Sequence, residues 1–329
     1  MQGGSMRQIQ ISDNQAGQRF DKLLLKYLNK SSKGFIYKML RKKNITLNGK
    51  KATGNELLQV GDEVKLFLAE ETLQKFSQTI DYGVAKELDI VYEDDDILIL
   101  NKPIGVLSQK AEKVDVSINE MAISYLLESS QLAEEELQTF RPSICNRLDR
   151  NTSGLIVVGK SLLGSQEMAR LFKERGLRKY YLSVVKGNVS ESKHIQGYLV
   201  KTKENKVQIH TEKSENADYI ETQYKPLYTN GEYTVLQVHL ITGKTHQIRA
   251  SLASCGYPII GDYKYGQGHI NAYFKEKYNL KSQCLHAYQL QVISETRLKK
   301  FVQGSEAKAL PPKIFQMIIG DITDGNMEF

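Results

Sequence analysis

From Phe20 to Leu28 the apolar residues Phe20, Leu23, Leu24, Tyr27 and Leu28 recur at helical spacing, which predicts an amphipathic helix. Ser31-Ser32 is a start signal for a second helix, in which Phe35, Ile36, Met39 and Leu40 repeat the spacing. Lys38, Arg41 and Lys42 fall on its opposite side. The period then changes from helix to strand. Ile45-Thr46-Leu47 runs into Asn48-Gly49, a hairpin signal because both turn positions need positive φ. Val64, Leu66 and Leu68 alternate behind a Gly61-Asp62 turn as a closing strand. Between Ala69 and Lys86 the chain becomes polar and aperiodic and offers little apolar surface to dock, which reads as a flexible linker. Beyond it, Ile97–Leu100 and Tyr180–Val185 are short apolar runs of strand type. Thr234, Leu236, Val238 and Leu240 alternate with Tyr233, Val235, Gln237 and His239. Helical stretches are expected at about Ile118–Leu127 and Ser165–Phe172. Strands outnumber helices without a regular strand–helix alternation, so the expected class is α+β with a mixed, largely antiparallel sheet. The expected organisation is a tail over 1–13, a small α+β unit over 14–68, a linker over 69–86, a main domain over 87–318 and a tail over 319–329. Within the first tail, Met1–Ser5 ahead of Met6 reads as an appended leader outside the fold.

The 329 residues allow about two domains, and 40% hydrophobic residues suffice for a sizeable core. No apolar run approaches the roughly 18 residues that a membrane helix needs. The three cysteines, Cys145, Cys255 and Cys284, are odd in number and widely spaced. They argue against a disulfide framework and a zinc site, and fit a reducing cytoplasm. Charge is distributed unevenly. Residues 14–68 hold twelve Lys or Arg against four Asp or Glu, a local +8 beside +7 for the whole chain. Such asymmetry is the footprint of a unit that binds a polyanion.

The segment Asn146-Arg147-Leu148-Asp149-Arg150-Asn151-Thr152-Ser153-Gly154-Leu155 sets one carboxylate between two arginines, ahead of a Thr-Ser-Gly turn. It has no histidine, cysteine pair or phosphate-binding glycine loop, an arrangement suited to a lone catalytic aspartate. Out of context, such a cluster is more often a surface ion-pair network of little energetic weight. Its surroundings change that. The segment resembles the signature of the RluA-type pseudouridine synthases, His-Arg-Leu-Asp-Arg-x-Thr-Ser-Gly-Leu. Asn101-Lys102-Pro103-Ile104-Gly105, Lys179–Gly187, Thr242–Arg249, Gly261-Asp262 and Leu285-His286-Ala287 resemble further elements of that family in the right order. The basic unit, two short helices feeding an Asn-Gly hairpin, resembles the S4 RNA-binding domain, with Lys38, Arg41 and Lys42 as its expected RNA contacts.

The resemblance implies an isomerase that breaks the glycosidic bond of a uridine, turns the uracil and rejoins it through carbon. That chemistry calls for no cofactor and no metal. The resemblance places Asp149 as the essential aspartate, as nucleophile or as base, with Arg249 as a bidentate guanidinium keeping it ionised and Tyr181 over the uracil. A uridine in folded RNA must be extruded to be reached. Arg147 is placed to fill the gap or hold the flipped phosphate. Lys102, Lys244, His246 and Gln247 are expected backbone or base contacts. Asn146 stands in place of histidine and Lys244 in place of arginine, both keeping polar donors, and Ala250-Ser251 follows Arg249 where valine and histidine are common. The implied substrate is structured RNA, 23S-type ribosomal RNA before transfer RNA, and a monomer is the expected state.

Rival activities lack their residues. A base deaminase needs His-x-Glu paired with Pro-Cys-x-x-Cys, and a serine hydrolase needs Gly-x-Ser-x-Gly; neither Pro-Cys-x-x-Cys nor Gly-x-Ser-x-Gly occurs. A glycosidase needs a second positioned carboxylate, for which Asp262 is the one contender, in what reads as a structural Gly-Asp turn. The remaining alternative is a non-catalytic RNA-binding or ribosome-assembly protein, which would lose little by replacement of Asp149.

Overall fold

The basic N-terminal residues build a four-stranded antiparallel sheet carrying helices, as seen in a computed structural model that describes residues 6–77, 87–112, 114–202, 206–215 and 217–327. The elements are β1 (Met6–Gln10), α1 (Phe20–Tyr27), α2 (Lys33–Arg41), β2 (Ile45–Leu47), β3 (Lys50–Lys51), β4 (Glu63–Phe67) and α3 (Glu70–Phe76). The helical spacing is realised because Phe20, Leu23, Leu24, Ile36, Met39 and Leu40 bury together against Ile45, Val64 and Leu66 of the sheet. The Ser32 side chain caps α2 by accepting the Phe35 amide at 3.1 Å. Asn48 and Gly49 both take positive φ, +52° and +71°, as a tight hairpin turn requires.

Three boundaries differ from expectation. Residues 6–10 are not a tail: β1 pairs with β4 from Met6↔Phe67 to Gln10↔Glu63, and Ile11 is buried behind it. Met1–Ser5 lie outside the described residues. The stretch expected as a linker begins with α3, which buries Leu73 in the same core and sets Phe76 on Phe35 with ring centroids 4.4 Å apart. Two apolar residues three apart were enough to dock a short helix. Residues 78–86 of that stretch lie outside the described residues. The third boundary is at the C-terminal end. The last helix continues to Thr323 and buries Ile319 and Ile322, so the expected tail from 319 begins inside a packed helix.

The main domain follows the order β5 (Ile90–Glu93), β6 (Ile97–Lys102), α4 (Ile118–Glu128), β7 (Ser143–Ile144), β8 (Ser153–Gly159), α5 (Leu162–Lys173), β9 (Leu177–Lys186), β10 (Lys193–Lys201), β11 (Val207–His210), β12 (Asp218–Thr229), β13 (Tyr233–Leu240), α6 (Gln247–Ser254), α7 (Gly268–Tyr278), β14 (Leu285–Val292), β15 (Glu306–Lys308) and α8 (Lys313–Thr323). Its eleven strands form one sheet ordered β11-β10-β12-β13-β9-β14-β8-β6-β5, with β15 on β14 and β7 on β8. Only β14 and β8 pair in parallel among the described strands, so the sheet is mixed and largely antiparallel, as expected.

The two halves of this sheet are covered differently. On β6 and β8, Leu98, Leu100, Ile156 and Val158 face one core with α4, while Ile97, Ile99, Leu155 and Val157 face another with Met168 and Leu171 of α5. Burial on both faces explains why these strands read as unbroken apolar runs. β13 is buried on both faces from Tyr233 to Leu236 and alternates only beyond, where Val238 and Leu240 join the core with Ile248 and Leu252 of α6. Gln237 and His239 on the other face are half-exposed.

Candidate active site

The turn that carries Asp149 is held by backbone bonds from two neighbouring loops. The Ser108 hydroxyl donates to the Leu148 carbonyl at 2.8 Å and accepts the Leu148 amide at 3.0 Å. On the other side, the Arg150 carbonyl accepts the Gly105 amide at 2.9 Å and the Lys102 ammonium at 3.1 Å, and Arg150 Nε donates to the Gly105 carbonyl at 3.0 Å. The Thr152 amide closes the turn onto the Asp149 carbonyl. Asn146, in place of the family's histidine, bridges the same region to β8: its Nδ2 donates to the Leu155 carbonyl and its Oδ1 accepts the Val157 amide. Gly154 is obligatory, since its φ is +114° and a Cβ there would lie 2.3 Å from the Ala287 carbonyl oxygen on β14.

Opposite this turn stands the loop from Thr242 to His246 and the start of α6. Gln247, 2% exposed, pins it. Its Nε2 donates to the Glu221 carbonyl and the Thr222 hydroxyl, and its Oε1 accepts the Lys244 amide and the Thr242 hydroxyl. Two residues later, Arg249 reaches across to Asp149. Its Nη1 lies 2.9 Å from Asp149 Oδ2, while its Nε and Nη2 grip the two oxygens of fully buried Asp262 at 2.7 and 2.9 Å. The bidentate partner of Arg249 is therefore Asp262, and Asp149 receives a single bond. Burial alone would raise the Asp262 carboxyl, yet Arg249 holds it below its usual range. For Arg249 burial works against the charge, and the two carboxylates outweigh it.

Between these walls lies a cavity of about 530 Å³ lined by Arg147, Asp149, Tyr181, Lys244, His246 and Arg249 among others. The Asp149 side chain is 27% exposed there. Tyr181 forms the floor at 7% exposure, and its phenol is pushed well above the usual value by burial first and Asp149 second. His246 sits in the left-handed region at φ +55°, bonds Tyr265 Oη through Nδ1 at 3.0 Å and stands 3.8 Å from Asp149 Oδ2 through Nε2. Its pKa is lowered, chiefly by burial. The Arg249 guanidinium lies 5.2 Å from the Tyr265 ring centre.

Asp149, Tyr181, Arg249, Arg147, Lys244 and His246, predicted from separate strings, thus converge on one cavity. Two expected RNA contacts do not reach it as ligands. Lys102 is fully buried and spends its ammonium on the carbonyls of Pro103, Val106 and Arg150; burial lowers its pKa to about 8. Gln247 uses both ends of its amide inside the protein. Each supports a loop of the site, because a buried donor must find its acceptors before any solute does. Ser251, one of the departures from the family string, is fully buried, so what changed there is packing rather than a surface for RNA. Ser108 and Tyr265 escaped sequence reasoning, since neither stands in a distinctive string. Lys38 and Arg41 on α2 and Lys42 at its C-cap are all exposed, away from the core of the small domain. Among the described residues no group of three or more His, Cys, Asp or Glu could hold a metal ion, and no helix is long and apolar enough to cross a membrane.

Comparison with known proteins accounts for this arrangement. The model of the RNA pseudouridylate synthase family matches residues 96–254, and that of the S4 domain matches residues 18–64. The chain is 29% identical over 303 residues to ribosomal large subunit pseudouridine synthase C of Vibrio cholerae, covering 89% of this chain and 90% of that protein. It is 32% identical over 269 residues to the protein of that name from Rickettsia bellii, with coverages of 78% and 85%. With the Escherichia coli protein the identity is 30% over 271 residues, 80% of each chain. The structure of human RNA pseudouridylate synthase domain containing 4 shares the fold, with a TM-score of 0.56 at 20% identity over 71% of this chain and 92% of that one. The chain belongs to the RNA pseudouridylate synthase family. It is an isomerase that converts uridine in RNA to pseudouridine, and it carries an S4 domain at its N-terminal side.

Proposed function

We propose that this enzyme isomerises specific uridines of large-subunit ribosomal RNA, acting in the cytoplasm as a monomer without a cofactor. The names of the relatives support that substrate class. The observation that carries the site is the chain Asp262–Arg249–Asp149, in which one guanidinium joins a buried carboxylate to one facing the cavity. Asp149 supplies the ionised carboxylate that acts where sugar meets base. Arg249 donates to it and keeps it aimed, and it cannot swing away because Asp262 occupies its other edge. Tyr181 presents a ring to the extruded uracil. Its raised pKa keeps the phenol protonated at neutral pH, so it serves as a hydrogen-bond donor or a stacking surface rather than as a phenolate base. Arg147, exposed at the rim, takes the space the uridine leaves or the phosphate beside it. Lys244, bonded to Asp218 at 2.6 Å, and His246 line the path of the flanking nucleotides. Lys38, Arg41 and Lys42 add a phosphate-binding arm that fixes the enzyme on its RNA without reading bases.

The test is tritium release from RNA labelled at carbon 5 of uracil. Wild type and Asp149→Asn are compared on unmodified large-subunit fragments and on a transfer RNA pool. Release from ribosomal fragments by wild type alone is expected. Release only from transfer RNA would move the substrate class, and equal release by the variant would remove Asp149 from its role.

A further inference from the structure

One end of a face of the main sheet is exposed and carries side chains that the reaction does not use. On this face β9, β13, β12 and β10 bring Tyr180, His239, Gln223 and His194 into one row, through the pairs Tyr180↔His239, His239↔Gln223 and Gln223↔His194. Tyr180 and His239 are half-exposed, with ring centroids 5.0 Å apart and planes tilted by 34°. Beside them is a groove of about 510 Å³ whose rim includes Lys193 and Lys225. That volume is within the roughly 300–1,000 Å³ of small-ligand sites.

Charge gives the groove a direction. Arg178 lies two residues before Tyr180 on the same side of β9, and Arg178, Lys193 and Lys225 make no ion pair among the described residues. The carboxylate of Glu221 is bound to His194 at 2.8 Å and to Arg175 at 3.5 Å. His239 is kept neutral at ordinary pH by burial first, and next by Arg178 and Lys179. An aromatic pair with three free cations around it, at the exposed end of a sheet face, is the chemistry that stacks a nucleobase and tracks its phosphates.

The strands that carry the groove also hold a loop of the active site. Lys179 Nζ donates to the Ile241 carbonyl at 3.4 Å, and the Glu221 amide and carbonyl hold Thr242. The loop that these groups anchor is the one whose residues Gly243–His246 line the catalytic cavity.

We propose that this face is a second contact surface for the substrate RNA, stacking an unpaired nucleotide on Tyr180 and His239 while Arg178, Lys193 and Lys225 take its phosphates. The proposal rests on the assignment of RNA as substrate, and its test is built to fail separately. The full chain bearing Lys193→Glu and Lys225→Glu is compared with wild type on whichever RNA releases tritium, large-subunit fragments or transfer RNA. Both lysines are exposed, so the fold should survive, and a melting temperature within about 2 °C of wild type checks this. The expected result is a Kd at least 10-fold higher, a salt slope shallower by about 1.4 for two lost single-strand contacts, and an unchanged kcat at saturating RNA. In parallel, RNA carrying 4-thiouridine should cross-link under ultraviolet light to the peptide holding Tyr180 or that holding His239. Unchanged affinity and slope would overturn the proposal, as would cross-links confined to the cavity and the S4 domain. Unchanged RNA binding with weakened recovery on ribosomal particles would also overturn it, handing the face to a protein partner. If wild type released no tritium from any RNA, the substrate assignment would fail instead, and the cross-link would still decide the face.

Discussion

Replacing Asp262 by asparagine tests the charge chain at its anchored end. Fully buried, Asp262 accepts Arg249 Nε on Oδ2 and Arg249 Nη2 on Oδ1, and Oδ1 also accepts the amides of Lys264 and Tyr265. The amide can keep the Oδ1 bonds, but its N–H₂ then faces the Nε–H of Arg249. The variant preserves shape and leaves a guanidinium, itself only 9% exposed along its side chain, with Asp149 as its one carboxylate. Breaking one side of a buried pair costs about 3–5 kcal/mol. Because Asp149 remains, the lower end applies, about 3 kcal/mol. At roughly 2–4 °C per kcal/mol for a domain of this size, the melting temperature should fall by about 6–12 °C. Tritium release should fall by about 100-fold, the effect of misplacing a reacting group by about 1 Å. The sign of the pH dependence is fixed as well. Arg249 overrides burial and depresses the Asp262 pKa, so the stabilisation exists above the unfolded value near 3.9 and is lost as pH falls through the folded value. The deficit of the variant should accordingly be full at pH 7 and shrink below about pH 4. Circular-dichroism melts across that range, paired with tritium release on the same samples, provide the readout. A variant melting within 1 °C of wild type at pH 7 would refute the reasoning, because a buried guanidinium cannot lose its bidentate partner at no cost.

Other outcomes follow from the same geometry. Asp149→Asn should abolish tritium release while leaving RNA affinity within about 3-fold, as measured by filter binding, since its side chain is partly exposed and holds one bond. Lys102→Met should destabilise by about 3 kcal/mol or more in a denaturant titration, as three carbonyls lose a buried donor, with no change in the salt slope of RNA binding. Gln247→Ala should behave alike, costing about 2–3 kcal/mol and raising KM only through the loop it pins. Lys38→Ala, Arg41→Ala and Lys42→Ala combined should make the salt slope shallower by about 2 and leave kcat on a short stem-loop unchanged.

What the sequence could show divides along physical lines. Periodicity located the second half of β13 and the helices α1 and α2 because each buries one face there and so repeats at its own period. It missed α3, whose single turn of burial rests on Leu73 and Phe76, and β1, where Ile9 and Ile11 give only one alternation before the chain turns away. Asp149, Tyr181 and Arg249, singled out by separate motif strings, line one cavity. The strings could not tell a residue that faces the cavity from one that holds it in place, since Lys102 and Arg147 are both basic residues in matching strings, one fully buried and one exposed.

That distinction also explains the departures from the family string. Asn146 satisfies two backbone groups of β8, one accepted and one donated. A neutral histidine can offer the same pair of functions, a ring N–H and a ring acceptor, at similar reach. The substitution therefore keeps the hydrogen-bond demand of the position and changes no charge next to Asp149. Asp262 sits in a turn by its amide bonds and in the active site by its ion pair, and these are a single feature. The turn buries the carboxylate, burial would neutralise it unless a cation were fixed beside it, and that cation is the one aimed at Asp149. A Gly-Asp turn that looks structural in the sequence is how the fold determines where Arg249 points.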